Sequence, residues 1–204
     1  DNRNFSENPS QGSLQRIGIA QDLDILDSDA PWTTVDFEYT KYISLGATPA
    51  SRQRVFALNM WVIDTPSWNQ TKTVGGTTIY KRPPQYAGAT LGGLERMRGF
   101  AQNRFNDRSA LYYSAEYRHV LDWNPLKNLA VLKRLRVNVD WLQLVAFTEL
   151  GRVADEFDLG KLHTDMKFSG GGGLRAFINH LVVRVDLGVS EEATFAQMTI
   201  DHPF

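Results

Sequence analysis

The chain has 204 residues, of which 42% are apolar and 22% charged, with a formal net charge of -1, so it can bury one large domain and carries no excess of basic charge for a nucleic-acid partner. It has no cysteine, which excludes disulfides and thiolate chemistry and leaves four His and the carboxylates for any metal. No apolar run approaches the ~18 residues of a spanning helix; a membrane crossed by strands stays open, because alternating strands average to modest polarity.

Alternation with period two predicts eight strands, at about 13–25, 32–45, 52–64, 109–121, 134–152, 162–178, 180–190 and 193–204. In the second, Val35, Phe37 and Tyr39 oppose Thr34, Asp36, Glu38 and Thr40; in the third, Phe56, Leu58, Met60 and Val62 oppose Gln53, Ala57 and Asn59. Segment 65–108 follows, rich in Gly and Pro and without period. In the fourth strand Leu111, Tyr113, Ala115 and Tyr117 oppose Tyr112, Ser114, Glu116 and Arg118. LKNLAVLKRL, 126–135, is the best candidate for a helix and reads equally as a basic loop. The seventh strand sets Leu181, Val183, Val185, Leu187 and Val189 against Val182, Arg184, Asp186 and Gly188. Short connections plus one large loop predict an all-β antiparallel meander.

Two architectures fit such strands. A soluble sandwich or lipocalin-like barrel points the aliphatic face inward, whereas a transmembrane barrel points it to lipid and turns Glu, Arg and Asp toward a wet lumen. Aromatics near strand ends (Trp32, Tyr42, Trp61, Trp68, Tyr112 and Trp123) favour the second weakly, as interfacial belts. The last ten residues, FAQMTIDHPF, place Ala196, Met198, Ile200 and Phe204 on one face and end on Phe, which resembles the terminal strand signal of bacterial outer-membrane barrels.

Four further stretches fall in the order seen in one family: DNRNFSENPSQGSL (1–14), LGGLERMRGF (91–100), VAFTELGRV (145–153) and FSGGGGLRAF (168–177). Together they resemble the C-terminal barrel half of the bacterial surface antigen superfamily, the outer-membrane assembly and translocation factors that include BamA, TamA and the two-partner secretion transporters. The resemblance implies a transmembrane barrel in the bacterial outer membrane, contact with its lipid, no cofactor, and insertion or translocation of polypeptides through a strand seam, with unfolded outer-membrane proteins as clients. Such barrels normally have sixteen strands and periplasmic polypeptide-binding domains; eight strands and no such domains are expected here. Without a nucleophile elbow, phosphate loop or Ser-His-Asp spacing, no enzyme is expected.

The resemblance also places the site. Arg98, Gly99 and Phe100 form the tip of an inward-folding loop, with Arg98 paired to Glu149, which stands where Asp is usual, and with Phe100 as an apolar plug. Val145, Phe147, Glu149 and Gly151 are assigned to the lumen. Gly171 and Gly173 leave the wall open for the tip, while Glu116, Arg118, Arg175, Arg184 and Asp186 balance one another as lumen charges. A partly wet lumen would limit the Arg98 pair to about 1 kcal/mol or less. HTD at 163–165, and His180 with Asp186, sketch a metal or acid-base site, with no third ligand placed. An eight-stranded barrel is too narrow to admit the loop, so the first strand (Ile17, Ile19) is expected to pair with the last (Met198, Ile200) of a second copy, giving a homo-oligomer with a dimer as default. The competing functions are a passive outer-membrane barrel and a soluble ligand-binding barrel.

Overall fold

The computed structural model describes residues 1–6, 8–23, 31–127, 129–179 and 181–200. Among these residues there are twelve strands: β1 (Gly12–Gln21), β2 (Thr33–Thr48), β3 (Ser51–Asp64), β4 (Thr71–Val74), β5 (Thr77–Tyr80), β6 (Ala89–Leu91), β7 (Phe105–Asp107), β8 (Ser109–Leu121), β9 (Val139–Ala154), β10 (Lys167–Ile178), β11 (Leu181–Ser190) and β12 (Thr194–Ile200). Eight of them form one antiparallel sheet in the order β1-β2-β3-β8-β9-β10-β11-β12, the expected meander. The other four are two small hairpins inside 65–108, too short for alternation to register; β4 and β5 turn on Gly75 and Gly76, both at positive φ.

Strand ends differ from expectation where helices intervene. Helix α1 (Ala130–Arg134) occupies the basic stretch, so β9 begins at Val139; α2 (Leu159–Leu162), capped by the Asp158 side chain, delays β10 to Lys167. Phe204, His180 and the end of the first expected strand lie outside the described residues. No described helix is long and apolar enough to cross a membrane.

The distribution of residues between the two faces decides the architecture. On one face Asn59, Glu116, Arg118, Gln143, Glu149, Arg175, Arg184 and Asp186 are buried, while Leu58, Leu144, Leu174, Val185, Leu187 and Met198 are exposed on the other. A soluble barrel has the reverse arrangement, so that alternative is overturned: the buried face is polar and the exposed face is a wall for lipid. Leu181, Val183, Val185 and Leu187 take the outer side, and Arg184 and Asp186 the inner, as the alternation predicts.

The aromatic belt needs correction. Tyr42, Trp61, Trp68 and Tyr112 are buried, and of the six expected belt residues Trp123 alone is strongly exposed. Trp61 and Tyr112 pack inside with Ile63, Leu91, Met97, Phe100 and Ala110, where the loop meets the wall. Burial of these large rings fastens segment 85–105 to the inner face.

The described residues ahead of β1 double back on its start, with Asn2 bonded to Ser13 and Asn4 to Gln11. Within them Asn8 donates to Gln53 of β3 and accepts from Gln143 of β9, so the segment spans the inner face at the end opposite the long loop. Among the described residues β1 pairs with β2 alone and β12 with β11 alone, leaving the sheet with two edges.

Candidate functional site

The loop tip reverses at Met97, whose φ of 62° is in the left-handed region, and Phe100 N–H closes the turn on the Met97 carbonyl. A buried Met in that conformation is held there by its surroundings. The turn drives Arg98 into the wall, where the residue is fully buried.

Glu149 of β9 holds it twice: Arg98 Nε donates to Oε1 at 2.9 Å and the Arg98 backbone N–H to Oε2 at 2.6 Å. The remaining lone pairs of Glu149 accept from Tyr112 Oη at 2.7 Å and Ser169 Oγ at 2.8 Å, so the carboxylate is saturated. The expected Arg98–Glu149 pair is therefore present, inside the wall. It is more than a pair. Arg98 Nη1 also lies 2.9 Å from Glu116 Oε1 and 3.1 Å from Asp186 Oδ2, and the guanidinium carbon sits 3.5 Å from the centre of the Phe147 ring. Glu116 is in turn held by Arg118 at 2.8 Å and by Arg175 Nη2, which bridges both its oxygens at 2.9 Å. Arg184 donates to the Leu94 carbonyl at 2.6 Å and lies 3.7 Å from Asp186.

This network replaces the expectation of a screened pair in a wet lumen. Charges withdrawn from water cost several kcal/mol each unless compensated; here Glu116 and Asp186 each face more than one guanidinium, and Glu149 faces Arg98 with the Tyr112 and Ser169 hydroxyls beside it. Because a guanidinium cannot be deprotonated in a protein, the positive charge on Arg98 is permanent. Its planar fork reaches three carboxylates at once, which a Lys ammonium cannot reproduce.

The glycines act differently from expectation. A Cβ on Gly173 would lie 2.0 Å from Asp186 Oδ1, and one on Gly171 would lie 2.0 Å from the Leu187 carbonyl and 2.7 Å from Phe147 Cζ. They make room for the wall groups on which Arg98 rests, not for the tip. Contact with the tip falls to Gly188, where a Cβ would meet the Arg98 carbonyl at 2.5 Å, and to Gly99, where it would meet Val189 and Ser169. Arg175 likewise acts on the wall, where it positions Glu116.

Phe100 anchors the tip in the apolar cluster and meets Phe105 edge-on at 5.1 Å. Beyond it the loop is tied to the last hairpin: Ser190 Oγ donates to the Gly99 carbonyl at 2.6 Å, Gln197 Nε2 to the Arg98 carbonyl at 3.4 Å, and Arg104 pairs with Glu192 at 2.8 Å. Sequence reasoning missed Tyr112, Ser169, Gly188 and Ser190 as site residues; the inward parity of Tyr112 and Gly188 was the available signal.

The other expected residues lie apart. Ile17 and Ile19 on β1, and Met198 and Ile200 on β12, are exposed on the outer face at the two edges. His163 ends α2 and bonds the Leu159 carbonyl and Tyr113 Oη. Arg3 and Asp1 pair in the N-terminal segment.

A lipid-facing antiparallel wall with a loop locked on its polar inner face defines an outer-membrane β-barrel wall. The Omp85 superfamily domain matches residues 1–191, and the chain belongs to that superfamily, whose members are outer-membrane proteins. All four motif stretches fall within the match, which ends before β12. No curated protein matches the chain.

Proposed function

We propose that the protein works in the insertion or translocation of polypeptides at the outer membrane, using the edges β1 and β12 as a seam. The carrying observation is that these two strands, in a wall with an apolar outer face, each pair on one side only among the described residues. Exposed amides and carbonyls in lipid must find partners, and an edge strand is a template for an incoming strand. Family membership supports the same reading. So does the loop across the inner face from β2, where Arg96 meets Glu38 at 3.5 Å, to β11, an arrangement poorly suited to a passive diffusion pore.

The test uses liposomes with and without the folded protein, an unfolded outer-membrane barrel as client, and client protease resistance over time as readout. Faster acquisition with the protein is expected. A rate equal to that of empty liposomes would leave a passive barrel wall as the function.

A further inference from the structure

The segment that joins β8 to β9 leaves the wall at the end opposite the long loop, away from the Arg98 network. Its base is tied to the neighbouring turns. Asp122 N–H donates to the Ala50 carbonyl at 3.3 Å and Asn124 Nδ2 to the Val139 carbonyl at 2.8 Å, while Asn138 donates to Asn179 Oδ1 at 2.8 Å and accepts from the Asn179 N–H at 3.1 Å. Between these ties the chain shows apolar groups to its surroundings: Trp123 is 73% exposed, Val131 68% and Leu135 65%, and Leu129 is exposed beside them. A ring and three aliphatic side chains uncovered within one short segment mark an interaction surface.

Charge narrows what that surface meets. Between Trp123 and Asn138 the sequence has four basic residues, Lys127, Lys133, Arg134 and Arg136, and no acidic one. Lys127, Arg134 and Arg136 are exposed, and none of them is paired with a carboxylate among the described residues. The end of the wall that carries the long loop is the reverse. There segment 155–166 has four acidic residues and a single Lys, and the cations are taken up inside the chain: Lys161 by Asp155 and Glu156, Arg152 by Asp165, Lys167 by Glu191. The free cations of segment 123–137 call for an anionic partner from outside the chain.

The local backbone sets cations beside the apolar groups. Leu135 N–H donates to the Val131 carbonyl at 3.0 Å, so these two side chains, four residues apart, share one face of the helical turn with Arg134 next to them. The turn then stops on Arg136, at a φ of 56°, and Val137 N–H reaches back to the Leu132 carbonyl at 2.9 Å. Gly is the usual residue at that position because a Cβ is strained there; an Arg accepts the strain and adds a cation. Apolar groups bordered by Lys and Arg are the chemistry of a segment lying in a membrane interface, and a Trp ring suits the same level. The lipid-facing surface also runs up to this rim: Leu181, which opens β11 two residues after Asn179, and the paired Ile43 and Phe56 are exposed on the outer face.

We propose that residues 123–136 are an interfacial anchor that seats Trp123, Leu129, Val131 and Leu135 at the acyl boundary of the leaflet on this side of the wall and binds its anionic phospholipid headgroups through Lys127, Arg134 and Arg136. Phosphate oxygens supply the acceptors that these cations lack within the chain. This rests on the outer face being lipid-facing, and not on β1 and β12 forming a seam.

The chain has no cysteine, so Val131→Cys gives a single site for an environment-sensitive fluorophore. The full chain is folded into vesicles of phosphatidylcholine alone or of phosphatidylcholine with phosphatidylglycerol, and the label is read by its emission and by quenching from lipids brominated on the acyl chain. Strong quenching is expected with phosphatidylglycerol, falling several-fold in phosphatidylcholine alone or when salt is added. Lys127→Gln, Arg134→Gln and Arg136→Gln should each lower the ratio of lipid-seated to free label roughly 5-fold in the anionic vesicles and change little in the neutral ones. A label at Asp155→Cys, in the acidic segment, should not respond to phosphatidylglycerol. Circular dichroism confirms the wall in each variant, and the lipid and salt comparisons need no charge variant, so a Gln chain that fails to fold does not shield the anchor. A label in water in both vesicles, or quenching equal in both and unmoved by salt, would overturn it. So would emission that follows the protein-to-lipid ratio and ignores lipid charge, which would mean that a second copy covers the segment. Client insertion is read on separate preparations, and its failure leaves the label result standing.

Discussion

The inner face built by β8–β11 and the inner face of β1–β2 carry the same kinds of residue, but they differ in what lies over them. Arg98, under its own loop and against four strands, has a side chain 1% exposed and three carboxylates within 3.1 Å. Arg16 pairs just as closely, 2.8 Å from Asp36 and 3.2 Å from Glu38, yet its side chain is 49% exposed. Distance alone does not set the energetic weight of an ion pair. Water weakens the second by screening; its exclusion makes the first expensive to break.

The largest test of that contrast is Glu149→Leu. Four arginines at the site would then face two carboxylates, and the Arg98 amide, Tyr112 and Ser169 would lose their acceptor. A loss of about 3–5 kcal/mol is expected, measured by denaturant unfolding, together with new protease cleavage in 85–104. Next comes the outer face, where Val183→Arg should cost about 2–4 kcal/mol near the bilayer midplane, read as folding yield into vesicles. On the opposite face Arg184, buried and bonded to the Leu94 carbonyl, should not tolerate even a polar change cheaply.

Two glycines sharpen the comparison at smaller scale. A Cβ on Gly188 meets loop backbone, and one on Gly18 meets Asp36 Oδ1 at 2.2 Å, the mobile end of a side chain. Gly188→Ala should cost about 1–3 kcal/mol and loosen the loop while circular dichroism still reports the wall; Gly18→Ala should leave loop proteolysis unchanged. Smallest is Arg16→Ala, expected to cost under about 1 kcal/mol, with the difference from the parent shrinking as salt is added to the unfolding assay.

Period two made the wall legible, because it reports which side chains share a face: β9 and β11 read correctly from Val145 to Gly151 and from Leu181 to Val189. The loop-tip motif, with FTELG, brought Arg98 to Glu149. Alternation says nothing of what covers a face, so Trp61 and Tyr112 read as interfacial belt residues although they are buried under the loop. It is equally silent on register across several strands, which brings Glu116 and Asp186 to one guanidinium.

The Arg98 lock also imposes an order of events. Its partners Glu149 and Asp186 stand 51 and 88 residues further along the chain, on β9 and β11. Closing such long loops is slow, and contacts of this separation are rewarded only after the intervening strands have paired. The tip therefore waits, with its guanidinium still hydrated, until β11 is laid against β10. Locking becomes a late step in folding, and variants at Gly188 or Asp186 should speed unfolding more than they slow folding. A loop that resists proteolysis is then a chemical report that the wall beneath it is complete.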